Sequence, residues 1–285
     1  MRLGINLPFL TKDHDAPSLA YVASRAKAVE DAGFDSIWIG DTISRGLAWP
    51  DPLTYLLAAA SGTKTIELGT AVLEVPLRAT VDLAQRFLTM HALTGGRFSA
   101  GVGAGSTKQD YDACGIDFEQ RFKLLRQNLD TIRALCRGEQ VGEANLHPWP
   151  SAVGGPPILI GSWYSGPWVK RAAREYDGWL SSSAWTNFNT VAEGLKRYRD
   201  MGGKRAMVAT IGVDLTQPEA DLPDDQPFHL RCGPKSAAER LQRLADLGYD
   251  DALIVKSGRH TEDDMTDENL AQIRALLPKQ PAPTR

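Results

Sequence analysis

Three cysteines, Cys114, Cys136 and Cys232, are odd in number and far apart in a chain of 285 residues. They form no disulfide framework and fit a reducing compartment. No apolar run is long enough to span a bilayer, and the chain enters a strand at once (Arg2–Pro8) without a signal-peptide apolar region, so a cytoplasmic location without membrane contact is expected. Acidic and basic residues nearly cancel, 35 against 32, for a formal charge of −3. The Arg and Lys residues are scattered, so no basic stripe offers itself to nucleic acid. There is no HExxH, no CxxC and no Lys poised in an apolar strand interior, which removes the usual sequence marks of metal hydrolysis and Schiff-base chemistry.

What the chain does have is a run of alternating glycines behind an apolar strand, LTGGRFSAGVGAGS, over Leu93–Ser106. Gly95 and Gly96 end a helix announced by the apolar spacing of Leu83–Leu93, Phe98–Val102 reads as a buried strand, and Gly103, Ala104, Gly105 and Ser106 follow with almost no side chain. A strand end so stripped admits a flat or phosphorylated ligand close to the backbone. It fits a dinucleotide-binding turn poorly, because the sixth position is Ser106 and Asp110–Gly115 intervenes before the next good helix near Phe118. An ordinary tight turn between strand and helix is the plain alternative.

The rest of the chain alternates in the same manner. Gly33 and Gly248 each close a helix ahead of an aromatic, an Asp and an apolar strand (AGFDSIWI, LGYDDALIV), with a looser copy at Ala172–Leu180. Strands are expected at Arg2–Leu7, Ser36–Gly40, Ile66–Leu73, Phe98–Val102, Pro157–Gly161, Gly178–Ser182, Ala206–Asp214 and Asp251–Lys256. Helices are expected near Ser18–Asp31, Pro52–Ser61, Val81–Leu93, Phe118–Arg137, Pro167–Tyr176, Thr190–Met201, Ser236–Leu247 and Asp267–Leu277, with Ser236 and Glu239 as a capping box. Such repetition argues for an α/β fold closed as a (β/α)8 TIM barrel, in one domain over residues 1–285 with 278–285 as a frayed tail; an open doubly wound sheet is the alternative. Pro52–Ser61 carries more apolar residues than an outer helix needs, which suggests a homodimer.

In a parallel barrel the chemistry sits at the C-terminal strand ends. Here those are Leu7–Leu10, Gly40–Thr42, Thr70–Glu74, Gly103–Ser106, Gly161–Ser165, Ser181–Trp185 and Lys256–His260. They offer small residues, hydroxyls, aromatics and backbone, with Asp41 and Glu74 as the carboxylates. A site so poor in nucleophiles and strong acids suits an organic cofactor that carries the chemistry itself. Ser162 and Ser165, before a helix opened by Gly166 and Pro167, would receive a phosphate there.

GFDSIWIGD (33–41), ELGTAVLEVPLR (67–78), LTGGRFSAGVGAGS (93–106), ILIGS (158–162) with SGPWVKRAAREYDGW (165–179), and CGPKSAAERLQRLADLGYDDALIV (232–255) resemble, in order and over nearly the whole chain, the bacterial luciferase-like monooxygenase superfamily. The resemblance implies a barrel that binds FMN or the 8-hydroxy-5-deazaflavin coenzyme and performs hydride or oxygen chemistry on a small organic substrate, commonly as a dimer. It places Asp41 near the cofactor ring as the candidate catalytic residue, followed by Thr42 where the family often has His. It implies that Thr70 orients the ring over a non-proline cis peptide at Ala71–Val72. Gly103, Ala104, Gly105 and Ser106 would face the cofactor, and Gly161, Ser162, Ser165 and Gly166 would hold its phosphate. Phe9, Trp49, Trp163 and Trp185 would line the substrate pocket. Ala104 stands where luciferases tend to carry an Arg for the FMN phosphate, which tilts the cofactor toward the deazaflavin, with Lys108, Lys170, Arg171 and Lys256 near the rim for its acidic tail. A flavin-binding relative without turnover is the alternative function.

Overall fold

The computed structural model describes residues 1–6, 15–46, 48–184, 186–256 and 266–278. In chain order its elements are β1 (Arg2–Asn6), α1 (Leu19–Asp31), β2 (Ser36–Ile39), α2 (Pro52–Ser61), β3 (Glu67–Thr70), β4 (Leu73–Glu74), α3 (Thr80–Leu93), β5 (Phe98–Gly103), α4 (Lys108–Ala113), α5 (Arg121–Cys136), β6 (Ile158–Gly161), α6 (Pro167–Glu175), β7 (Gly178–Ser182), α7 (Phe188–Asp200), β8 (Ala206–Asp214), β9 (Leu230–Arg231), α8 (Pro234–Leu247), β10 (Asp251–Lys256) and α9 (Asp267–Arg274). Every strand pairing is parallel, and β10 bonds to β1 on one side and β8 on the other. Eight strands therefore close into a barrel, with β4 extending the third of them and β9 added outside β8. The barrel is the expected one, and the open sheet is excluded. The tail expected after Leu277 lies, from residue 279, outside the described residues.

Alternation along the strands builds two cores. Ile37 and Ile39 of β2 point outward and join the layer between barrel and helices. Trp38 points inward and fills the barrel axis with Leu159, Leu180, Met207 and Leu253. The indole lies so close over β3 that a Cβ on Gly69 would stand 2.1 Å from it, which is why glycine occupies that position.

Two expectations need correction. The strand read as Ile66–Leu73 breaks after Thr70, where the Ala71–Val72 peptide is cis, and resumes as β4. The Ser236–Glu239 capping box does not form, because α8 begins earlier, at Pro234. Its free N–H groups at Lys235 and Ser236 donate instead to Glu219, reaching in from the preceding loop at 3.1 and 2.7 Å. Of the apolar residues of α2, Leu53, Tyr55, Leu56, Ala58 and Ala59 are buried within the chain, while Leu57 stays exposed. No helix is long and apolar enough to cross a membrane among the described residues.

At the N-terminal end the barrel is closed by charge. Arg205 donates to Glu67 at 2.8 Å and to Asp251 at 2.8 Å, Arg2 reaches Glu67 at 2.6 Å, and Ser99 donates to Glu67 at 2.6 Å. Two cations and two carboxylates thus tie together the starts of β1, β3, β8 and β10. Burial would raise the Glu67 carboxyl, but Arg205 and Arg2 outweigh it and hold it down at about 2. Removing one partner from a buried set of this kind strands the remaining charges. Arg205→Met is therefore expected to cost about 3–5 kcal/mol, read as a lower urea midpoint at unchanged slope.

Candidate active site

The C-terminal strand ends enclose a cavity of about 620 Å³. One side is floored by Ala71 and Val72 between the ends of β2, β5 and β6. Here the glycines acquire their reason. A Cβ on Gly161 would lie 2.5 Å from a methyl of Val72, and one on Gly103 would lie 2.9 Å from the other. The space that the glycine run keeps open is occupied by the Val72 side chain of the bulged third strand, and the ligand cavity begins above it. Gly105, at φ +73°, does the same for Glu74, whose carboxyl carbon would stand 2.7 Å from an added Cβ.

The wall beside this floor is ionic. Asp41 takes both guanidinium arms of Arg78, at 2.6 and 2.9 Å, and the backbone N–H of Glu74 at 2.9 Å. Its side chain is 1% exposed. A carboxylate so fully engaged orients the turn after β4. Arg45 bridges Asp110 at 2.8 Å and Glu74 Oε1 at 3.0 Å, and the Ser44 N–H closes on Asp110 at 2.9 Å. Glu74 Oε2 is buried and has no hydrogen-bond partner among the described residues. Burial, reinforced by the carboxylates of Asp41 and Asp110, pushes Glu74 up to about 7 against the opposing pull of Arg45 and Arg78. Tyr111 of α4 is buried beneath the loop and donates its hydroxyl to the Ala104 carbonyl.

The opposite wall comes from the start of α6. Gly166 and Pro167 line the cavity with Ser162, and α6 has no side-chain cap. Its N-terminal dipole therefore meets the cavity without a competing side chain. Ser162 accepts from the Trp179 indole at 3.1 Å, which fixes the hydroxyl. At the mouth stand two aromatics that are half exposed, Phe122 from α5 and Trp163 from the loop before α6. Thr210 lines the far side from a bulge in β8, where two residues face Leu253, and its backbone takes the left-handed φ of +63°.

Of the residues expected at the site, Asp41, Ala71, Val72, Gly103, Ala104, Gly105, Ser106, Gly161, Ser162, Gly166 and Trp163 line this one cavity. Thr70 does not: it is buried behind the floor, its hydroxyl donating to the Gly101 carbonyl at 2.7 Å. Ser165 is exposed outside it, its carbonyl held by Arg197 at 2.8 Å. Trp49 stands behind Gly40, donating to that residue's carbonyl at 3.0 Å. Phe9 and Trp185 lie outside the described residues, as does His260. Sequence reading passed over Arg45, Arg78 and Asp110, because each meets a partner from a neighbouring strand end that is distant in the chain. The carboxylate pair Asp41 and Glu74, isolated among uncharged strand ends, was the signal that counter-ions had to exist.

If Asp41 is a clamp, neutralising it costs stability first. Asp41→Asn leaves Arg78 without its buried partner and is expected to lower stability by about 3–5 kcal/mol in urea titration. A variant as stable as the wild type would return Asp41 to the chemistry.

Over 297 aligned residues the chain is 29% identical to the F420-dependent glucose-6-phosphate dehydrogenase of Amycolatopsis mediterranei, covering 88% of this chain and 83% of that one. It is 31% identical to 4-hydroxyprotoasukamycin monooxygenase of Streptomyces nodosus subsp. asukaensis, but the match spans only 53% of this chain and 43% of that enzyme. Among solved structures, the oxygenating constituent of 3,6-diketocamphane monooxygenase from Pseudomonas putida, in complex with FMN, superposes with a TM-score of 0.76 at 16% identity over 96% of both chains. The F420-dependent tetrahydromethanopterin reductase of Methanopyrus kandleri does so with a TM-score of 0.70 at 17% identity, over 96% of this chain and 97% of that one. At these identities the two structures speak for the fold alone. Residues 1–216 match the luciferase-like monooxygenases as a family, and the chain belongs to that family.

Proposed function

We propose that this protein is an oxidoreductase that binds a flavin-type cofactor across the C-terminal mouth of its barrel and acts on a small organic substrate there. The observation that carries the reading is the cavity itself. It sets an uncapped helix N-terminus, suited to a phosphate, opposite an apolar floor at Ala71–Val72, suited to a flat ring, with a carboxyl group of near-neutral pKa in the wall between. Its size suits a cofactor ring and a small partner. FMN and the deazaflavin coenzyme both meet these requirements.

The cofactor, when bound, supplies the two-electron chemistry: hydride transfer with the deazaflavin, oxygen activation as well with reduced flavin. The chain's own residues do the rest. Ser162 would donate to the phosphate, and Gly166 and Pro167 would let it approach the N-terminus of α6. Val72 supports the ring from below, and Phe122 and Trp163 shield the mouth from water. The scarcity of charge on the walls other than the Asp41–Arg78 side favours an uncharged organic substrate. Glu74, a titratable group within the cavity wall, favours turnover over passive flavin binding.

Between the two cofactors, the deazaflavin is our preferred reading. Ala104 offers no cation for an FMN phosphate, and the dehydrogenase aligned over 88% of this chain is F420-dependent, F420 being the deazaflavin coenzyme. Of the rim cations, Lys108 and Arg171 are paired within their own helices, with Asp112 and Glu175 at 2.6 Å each, so Lys170 is the more available to an acidic tail.

Fluorescence titration with FMN and with the deazaflavin coenzyme tests both levels of the reading. Binding of the deazaflavin at micromolar concentration is expected; FMN binding roughly tenfold tighter would reverse the preference, and binding of neither at tens of micromolar overturns the proposal. Ser162→Glu sets a carboxylate against the phosphate and is expected to weaken either cofactor by about tenfold or more. Unchanged affinity would move the phosphate off α6.

A further inference from the structure

We propose that Glu74 is the residue through which the cavity exchanges a proton with the molecule bound in it. The inference rests on the functional reading above and deepens it by assigning the acid–base group of the site. The position after Asp41 is Thr42, which has no titratable proton near neutrality, and Asp41 itself is saturated by Arg78 and by the Glu74 backbone. Glu74 differs from both. It lines the cavity, its side chain is 5% exposed, one oxygen is held by Arg45 at 3.0 Å, and the other is buried without a partner among the described residues. Gly105, without a side chain, lets the loop after β5 pack directly against the carboxyl.

The surrounding charges make the proton consequential. Asp41 and Arg45 face Glu74 from the segment after β2, Arg78 from the turn after β4, and Asp110 from α4, with the Tyr111 ring beside them. Two carboxylates and two guanidinium groups cancel. With Glu74 protonated the cluster is neutral; with Glu74 ionised it holds one uncompensated negative charge in a poorly solvated wall. The balance is close, as the position of Glu74 near neutrality shows. A bound group that donates an N–H or O–H toward Oε2 stabilises the ionised form, and a bound group carrying negative charge stabilises the protonated one. The step is a simple proton transfer. An O–H bond forms at Glu74 Oε2 as the X–H bond of the ligand breaks, the bonding electrons stay on X, and the reverse returns the proton without a further reactant.

The test uses the full chain and reads the carboxyl directly. Infrared titration of the protein without cofactor is expected to show a protonated-carboxyl band lost with a midpoint near 7, absent from Glu74→Gln. Mixing the protein with FMN or the deazaflavin coenzyme in weakly buffered solution near that pH is expected to take up or release protons, an exchange lost in Glu74→Gln while cofactor fluorescence is still quenched. Asp110→Asn, which removes a like charge and leaves Arg45 to Glu74, is expected to move the midpoint downward, and it decides the matter if Glu74→Gln does not fold. A band that persists in Glu74→Gln, or a midpoint unmoved in Asp110→Asn, overturns the assignment. So does cofactor binding by the wild type without any proton exchange that depends on Glu74, and in that case the functional reading stands. If neither cofactor quenches, the functional reading fails and this assignment falls with it.

Discussion

The rim of the barrel is organised around one carboxylate. Asp41, at the end of the second strand, is almost completely removed from water and satisfies its charge with three N–H groups, two from Arg78 and one from the Glu74 backbone. A buried carboxylate has no alternative to such partners, so the demand of Asp41 dictates where the chain goes after β4. That route sets the direction of Glu74, and Glu74 in turn shares Arg45 with Asp110, which anchors the loop after β2 onto α4. Three loops that would otherwise be independent are thereby fixed relative to the cavity they enclose.

The two ends of the barrel use the same chemistry to different effect. At the N-terminal end, Glu67 and Asp251 are matched by Arg2 and Arg205, charge for charge, and the result is a closed plug. At the C-terminal end three carboxylates meet two guanidinium groups. Burial, reinforced by this excess of carboxylates, leaves Glu74 near neutral pH, whereas at Glu67 the pull of Arg205 and Arg2 outweighs burial. One end is stabilised by its ion pairs; the other holds a proton whose place is open to influence by what binds.

The fold was legible because its punctuation is local. Helices closed by Gly33 and Gly248, the β-branched runs that follow them, and the Pro-opened α6 and α8 are each decided within a few residues, and their repetition implies the barrel. The site was legible only as strand ends. Of its backbone features, the bend at Ala71–Val72 is expected only from the family resemblance, whereas the glycine run can be located from nearby residues. The ion pairs cannot: Asp41 and Arg78 are brought together across neighbouring strands, and no local pattern marks Arg45 as the partner of Asp110. Thr70 shows the limit from the other side, since a strand end places a residue near the mouth without saying which face it presents; its hydroxyl turns to Gly101. The cap of α8 fails for a related reason, since Glu219 approaches from a loop whose path depends on the finished fold.

Val72 has a consequence that reaches beyond its own position. Its two methyls occupy the places where side chains on Gly103 and Gly161 would stand. These three residues on separate strands therefore share one fixed volume, and none can drift alone. A methyl gained at 103 or 161 must be surrendered at 72, and a smaller residue at 72 opens a hole that only the two glycines can fill. The floor of the cavity is thus one packing unit, whatever happens to the loops above it.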